Sequence, residues 1–296
     1  MRVRQCLALA TLLALTGCDD TEPVTDAGTD AGAPPMAPST VGPADRPADL
    51  QAPLAYDGTT PLPAVILLHG FGASGDAQAT YLGIKQAARR EGFYLVTPDG
   101  TEGTDGRRFW NATPGCCDFG NLGVDDVAYV EALIDALSAA VPVADGQVYM
   151  MGHSNGGFMS YRFACERSDR VAAIVSLAGS DFIGETDCEP TEPVAVLQIH
   201  GDQDATIQYG GTAGFHPSAP DVVARWAARN GCGETAGMGE PRDLEAALAG
   251  DESEVLIYPG CTEDVELWTI VGGSHIPAPS RDFAVQVLDW MRAHAD

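Results

Sequence analysis

Cations are scarce in this chain: 16 Lys+Arg stand against 42 Asp+Glu in 296 residues, a formal charge of −26. A field of that sign repels phosphate backbones and anionic headgroups, which argues against nucleic acid as a partner and fits an adaptation for solubility outside the cell. Zinc-ligand spacing is also missing. Among 6 His and 8 Cys there is no second cysteine pair or histidine pair at the intervals a structural metal needs, so no metal site is expected. No domain-sized repeat occurs. Hydrophobic residues at 45% and charged ones at 20% describe an ordinary globular chain, not a disordered or polytopic membrane one. The length suits one large α/β domain of roughly 250 residues with a short preceding segment.

The first residues read as an address label. Arg2 and Arg4 precede a short apolar run at 7–15, and Leu15-Thr16-Gly17-Cys18 then resembles a bacterial lipobox. The motif implies a lipoprotein signal peptide over 1–17, cleavage before Cys18 and diacylation of its thiol, so that the membrane is met by a lipid anchor only. A plain secretory signal is the alternative, and both place the protein outside the cytoplasm. Residues 18–47 are Asp, Thr, Ala, Gly and Pro with few large apolar side chains, and Thr25-Asp26-Ala27-Gly28 is nearly repeated as Thr29-Asp30-Ala31-Gly32. Such a composition buries too little surface to offset its chain entropy, so 18–47 is expected to be a flexible tether and 48–296 the catalytic domain.

Within 48–296, short apolar runs alternate with helix-period segments, which predicts an α/β fold with a mostly parallel central sheet and helices on both faces. Strands are expected at 64–68, 93–96, 148–151, 172–177, 194–199 and 265–270. Helices are expected at 77–90, 124–140, 156–167, 221–229 and 281–293. Six cysteines remain after Cys6 and Cys18 are set aside, and an even number in an exported chain argues for disulfides. Chain order favours Cys165 with Cys188 and Cys232 with Cys261, which leaves Cys116 and Cys117 to each other.

The strongest chemical signal is Gly152-His153-Ser154-Asn155-Gly156-Gly157, between an apolar run and a helix-compatible stretch. Acyl transfer needs a hydroxyl lifted out of the sheet on a sharp turn, and that turn crowds the positions two residues either side, hence the glycines. Ser154 is the expected nucleophile. A serine hydroxyl needs a base within hydrogen-bond reach, and His275, in the loop Gly272-Gly273-Ser274-His275-Ile276-Pro277, follows a strand and stands last in the chain order serine, acid, histidine. His216 and His294 are expected at the surface, and His69, ending a buried strand, in a structural role. The acid should follow residues 194–199, where Asp202 and Asp204 compete. Asp204 is preferred because His200-Gly201-Asp202-Gln203-Asp204 resembles the His-Gly-x-x-Asp pattern of many α/β-hydrolases. Asp202 would then be a turn residue bonding its own backbone. Backbone N–H groups of Phe71 and Asn155 are the expected oxyanion donors. Asp125-Asp126 reads as a helix cap.

Leu67-Leu68-His69-Gly70, Thr97-Pro98-Asp99-Gly100, Phe109-Trp110-Asn111-Ala112, Cys116-Cys117, Val124-Asp125-Asp126-Val127, the 152–157 elbow, 200–204 and 273–277 together resemble the secreted polyhydroxybutyrate depolymerase and feruloyl esterase group of α/β-hydrolases. The resemblance covers most of the chain from about Arg46. It implies hydrolysis of carboxylic esters, in polymers, oligomers or aryl side chains, through the triad Ser154, Asp204 and His275, without a cofactor and with disulfides among the six cysteines. Two features depart from the group. Ile276 stands where members often carry Trp, so an aromatic wall of the acyl pocket is expected to be missing, and the chain ends at Asp296 where depolymerases of solid polyester usually append a binding domain. Trp110, Asn111 and Ile276 are the expected substrate-binding residues, with Trp110 alternatively a packing anchor. A serine peptidase of the same fold and a non-catalytic surface binding protein are the alternatives; for the first, no propeller or other gating domain is present to select peptides.

Overall fold

A computed structural model describes residues 36–295. The expected signal peptide, the Cys18 anchor and most of the tether lie outside the described residues. Twelve strands and six helices follow in chain order among those residues. The strands are β1 (Thr40–Val41), β2 (Ala48–Gln51), β3 (Leu62–Leu68), β4 (Tyr94–Thr97), β5 (Thr101–Glu102), β6 (Arg108–Phe109), β7 (Val143–His153), β8 (Ala173–Leu177), β9 (Ala195–Gly201), β10 (Gly237–Met238), β11 (Ser253–Ile257) and β12 (Val265–Ile270). The helices are α1 (Gly75–Tyr81), α2 (Ile84–Glu91), α3 (Asp126–Ala140), α4 (Asn155–Glu166), α5 (Ala219–Arg229) and α6 (Phe283–Ala293).

Ten strands form one sheet in the order β1-β2-β4-β3-β7-β8-β9-β12-β11-β10. Its middle, from β4 to β12, is parallel, and antiparallel pairs close both edges. Alternation along β3 shows why both faces need cover: Ala64, Ile66 and Leu68 point into one apolar layer, Val65 and Leu67 into the other, and all five are buried. Helices α3, α4 and α5 cover the first layer, and α1, α2 and α6 the second. This is the α/β-hydrolase architecture. No helix among the described residues is long and apolar enough to cross a membrane.

Three disulfides join Cys116 to Cys117, Cys165 to Cys188 and Cys232 to Cys261, the pairing that chain order favours. Two expectations are corrected. The segment expected as one helix at 77–90 is two, because Gly83 takes the left-handed conformation (φ 67°) after Leu82 caps α1. The expected tether does not extend to 47: β1 pairs with β2, Val41 is buried, and Arg46 bonds the buried Asp126 at 2.8 Å while its guanidinium stacks 3.7 Å above the Tyr129 ring. Small residues and prolines there disguise an edge hairpin whose partners are remote in sequence.

Candidate active site

Strand β7 delivers Ser154 to the start of α4 with φ 53° and ψ −118°, a conformation that a non-glycine residue adopts only when its surroundings impose it. Those surroundings are backbone. A Cβ on Gly152 would sit 2.1 Å from the Gly156 carbonyl, and one on Gly156 would sit 2.2 Å from the Leu68 carbonyl oxygen, so strand, turn and helix pack closer than any side chain allows. Ser154 N–H donates to Leu177 O at 2.8 Å, which fastens the turn to β8.

The structure brings Ser154, His275 and Asp204 together. His275 Nε2 lies 3.0 Å from Ser154 Oγ, and His275 Nδ1 lies 2.7 Å from Asp204 Oδ2. With a carboxylate on Nδ1, that nitrogen carries the proton and Nε2 is free to accept one from the hydroxyl. Asp204 is fully engaged, since its Oδ1 accepts from Thr206 N–H at 2.7 Å and Ile207 N–H at 2.9 Å. Burial alone would raise the Asp204 carboxyl, but the hydrogen bonds from His200 and His275 and the backbone outweigh it and hold the acid well below the usual carboxylate range. Asp202, the rejected candidate, accepts from Gly272 N–H at 2.7 Å. That overturns the expected bond to its own turn backbone: Asp202 braces the base of the histidine loop.

Behind the three lies a layer the sequence reading did not assign. His200 is buried with Nδ1 accepting from Gln198 Nε2 at 2.9 Å, so its Nε2–H faces Ile207 O at 2.7 Å and Asp204 Oδ2 at 3.2 Å. His153 donates through Nε2 to His275 O at 2.9 Å, and burial pushes its ring down to about 4, so it holds the loop as a neutral donor. Tyr81 OH donates to Pro277 O at 2.5 Å. Both histidines lie inside motifs already quoted for other residues, the elbow and the His-Gly-x-x-Asp turn; only the third dimension separates their positioning from the chemistry.

Phe71 and Asn155 N–H groups donate to no acceptor among the described residues, as groups reserved for a ligand oxygen would. Gly72 N–H ties the Phe71 loop to Arg108 O at 2.7 Å, so the β5–β6 hairpin braces it. The Asn155 side chain faces the other way, its Oδ1 accepting from Trp110 N–H at 2.8 Å and its Nδ2 donating to Trp110 O at 2.9 Å. His69 is structural, with Nε2 accepting from Gly100 N–H at 2.8 Å and burial lowering its pKa.

Other expectations fail on burial. Trp110 is 0% exposed, its indole N–H donates to His69 O at 3.0 Å, and it stacks on Tyr129, so it anchors the fold and cannot touch substrate. Asn111 is half-buried, with Nδ2 donating to Val124 O at 2.9 Å. Ile276 does lie open, at 63% exposed beside His275. His216, expected at the surface, is buried between Phe158 and Phe215. His294 lies away from the site, packed on Trp290 and bonded to Asp264. Of the two aspartates read as a cap, Asp125 caps α3 through Ala128 N–H, while Asp126 is the buried partner of Arg46.

Known proteins point the same way. Residues 63–205 match the family model described as the alpha/beta hydrolase fold. NocK of Nocardia uniformis subsp. tsuyamanensis, named as an esterase, is 32% identical over 161 residues, 54% of this chain and 45% of that protein. Feruloyl esterase B of Piromyces equi is 27% identical over 236 residues, covering 75% of this chain and 41% of that one. The chain thus spans less than half the length of these two relatives. An acetyl xylan esterase from Aspergillus awamori superimposes with a TM-score of 0.60 at 13% identity, over 87% of this chain and 97% of that one, which bears on the fold.

Proposed function

We propose, from the premise that this chain is an α/β-hydrolase, that it is a serine carboxylesterase working through an acyl-enzyme on Ser154. The observation that carries the reading is the unbroken relay of 3.0 Å and 2.7 Å contacts from Ser154 Oγ through His275 to Asp204 Oδ2. His275 takes the hydroxyl proton as Oγ attacks the ester carbonyl carbon, and Asp204, kept ionised by its hydrogen bonds, stabilises the imidazolium that results. Negative charge moves to the former carbonyl oxygen, toward Phe71 and Asn155 N–H; such donors are each worth about 10²–10³ in rate. The tetrahedral intermediate collapses, His275 returns the proton to the leaving alcohol, and the alcohol departs. Water then gives a proton to His275 as it attacks the acyl-serine, and His275 returns that proton to Ser154 Oγ as the acid departs.

Feruloyl-type aryl esters and short hydroxyalkanoate esters, as in polyester or oligoester ends, are the proposed substrates; the first is supported by the name of the Piromyces relative. Three disulfides suit an oxidising compartment, in keeping with export and with a lipid on Cys18. The test assays the protein on a short p-nitrophenyl ester, methyl ferulate, hydroxybutyrate oligomers and a peptide anilide, beside Ser154→Ala. Ester turnover that vanishes in the variant supports the reading. Turnover of the anilide alone makes the protein a peptidase, and turnover that survives in Ser154→Ala removes the nucleophile.

A further inference from the structure

Building on the esterase reading, we infer that Tyr161, Gln198 and His200 are positioning residues for the triad. A chain of hydrogen bonds starting on α4 fixes which nitrogen of His200 carries the proton, and through it the aim of Asp204 at His275. Tyr161 OH donates to Gln198 Oε1 at 2.8 Å. Gln198 Nε2 donates to Gly179 O at 3.0 Å and to His200 Nδ1 at 2.9 Å. His200 Nε2–H then faces Ile207 O at 2.7 Å and Asp204 Oδ2 at 3.2 Å. All four side chains are buried, Tyr161 and Gln198 completely.

Two carbonyl oxygens give the chain a single direction. Gly179 O can only accept, so the amide nitrogen of Gln198 must face it and the amide oxygen must face Tyr161. Burial pushes the Tyr161 phenol well above its ordinary value, so the hydroxyl keeps the proton it donates. Gln198 spends its second amide hydrogen on His200 Nδ1, which is therefore the unprotonated nitrogen. At the far end Ile207 O likewise only accepts, and it requires the proton on Nε2. Packing alone does not call for this arrangement. Gln198 and His200 stand on β9 among Val196, Leu197 and Ile199, where two further apolar side chains would fill the space and need no partners.

The chain ends on the acid. Alternation along β9 turns Val196, Gln198 and His200 to the face that α4 covers, and the strand then runs into the turn that carries Asp204. Thr206 and Ile207 N–H hold one oxygen of that carboxylate, while His200 holds the carbonyl of the same Ile207 and lies against the other oxygen. Asp204 cannot turn away from His275 without disturbing both ends of the grip. His200 itself moves no proton; it keeps the carboxylate where the His275 ring needs it, and a misplacement of about 1 Å at such a point costs on the order of 10² in rate. Tyr161 stands about two turns after Ser154 on α4, so one helix carries the nucleophile and the far end of the bonds that aim its acid.

The test measures kcat and KM on p-nitrophenyl butyrate for the full protein and His200→Leu, each with Asp204 and with Asp204→Asn. Loss of the Nε2–H is expected to lower kcat about 100-fold with little change in KM. Because His200 acts through Asp204, the same substitution beside Asp204→Asn is expected to cost less than about threefold more. An equal fall in both backgrounds, or no fall in the first, overturns the inference. If His200→Leu does not fold, Tyr161→Phe takes its place, since it removes one oxygen and keeps the ring against Trp226; a fall of about tenfold is expected with Asp204 and almost none with Asp204→Asn, and the same two results overturn it. If no ester is hydrolysed the esterase reading falls by itself, and the low-field proton resonance of His275 Nδ1–H, assigned by its loss in His275→Gln, decides the positioning. A signal that moves or broadens in Tyr161→Phe sustains it, and a signal unmoved there, or absent from the wild type, overturns it.

Discussion

The elbow at residues 152–157 and the segment at 101–123 meet at Asn155, yet different forces fix them. Backbone contacts that leave no room for a Cβ set the elbow: Gly152 against Gly156, and Gly156 against Leu68. The segment instead hangs on side-chain hydrogen bonds. Trp110 is clamped by Asn155, Asn111 by Asp126 and Val124, and residues 122 and 123 by the Asp118 carboxylate. Backbone packing thus sets the reacting geometry, whereas side-chain hydrogen bonds hold the segment beside it. The first can hold while the second varies, which is how one scaffold supports many esterases.

That separation breaks if a change in the relay spares some esters. Asp204→Asn is expected to lower kcat about 10⁴-fold on every ester alike, since an amide cannot keep the His275 tautomer that frees Nε2; steady-state kinetics on two esters checks it, and a loss confined to one ester would contradict it. Gly156→Ala sharpens the steric half. Its Cβ would lie 2.2 Å from the Leu68 carbonyl oxygen, on backbone that cannot step aside, so a stability loss of about 4 kcal/mol or more is expected, seen as a melting temperature roughly 10 °C lower. A smaller effect separates positioning from chemistry. His153 is held at about 4 in the fold against an ordinary 6.5, so the unfolded chain binds the proton more readily between those values. Its contribution to stability is present above about pH 6.5 and is lost as the pH falls toward 4, by up to about 3 kcal/mol. Thermal melts at intervals from pH 7 to pH 4 should show this decline, flattened in His153→Gln. The Asp204 contribution has the same sign but lies lower, present above the ordinary carboxylate range and lost as the pH falls below it.

Legibility in the sequence followed the same division. The parallel strands β3, β4, β8, β9 and β12 are buried along most of their length on both faces, as is β7 from residue 149 onward, and each of these stretches announces itself as an apolar run. The antiparallel edges do not. Strand β2 reads Ala-Asp-Leu-Gln with only alternate residues buried, and β10 is two exposed residues, so each exists because a partner strand is present. At the site, Ser154 and His275 are legible because chemistry and turn sterics restrict their neighbours, and Asp204 through the likeness of residues 200–204 to the His-Gly-x-x-Asp pattern. Trp110 misled because a large aromatic beside cysteines looks the same whether it lines a cleft or fills a core. Arg107 and Phe119 carried no local signal, since stacking on Phe71 depends on a hairpin and a loop meeting in space.

The proposed chemistry turns on an acyl group carried by Ser154, and that group can be trapped. The protein would be mixed with p-nitrophenyl butyrate, quenched in acid within the first turnovers, digested and mapped by mass spectrometry. The account predicts a butyryl mass on the peptide containing Ser154 and none on that peptide from Ser154→Ala. A butyryl group on another side chain, or continued nitrophenol release by Ser154→Ala, would contradict it.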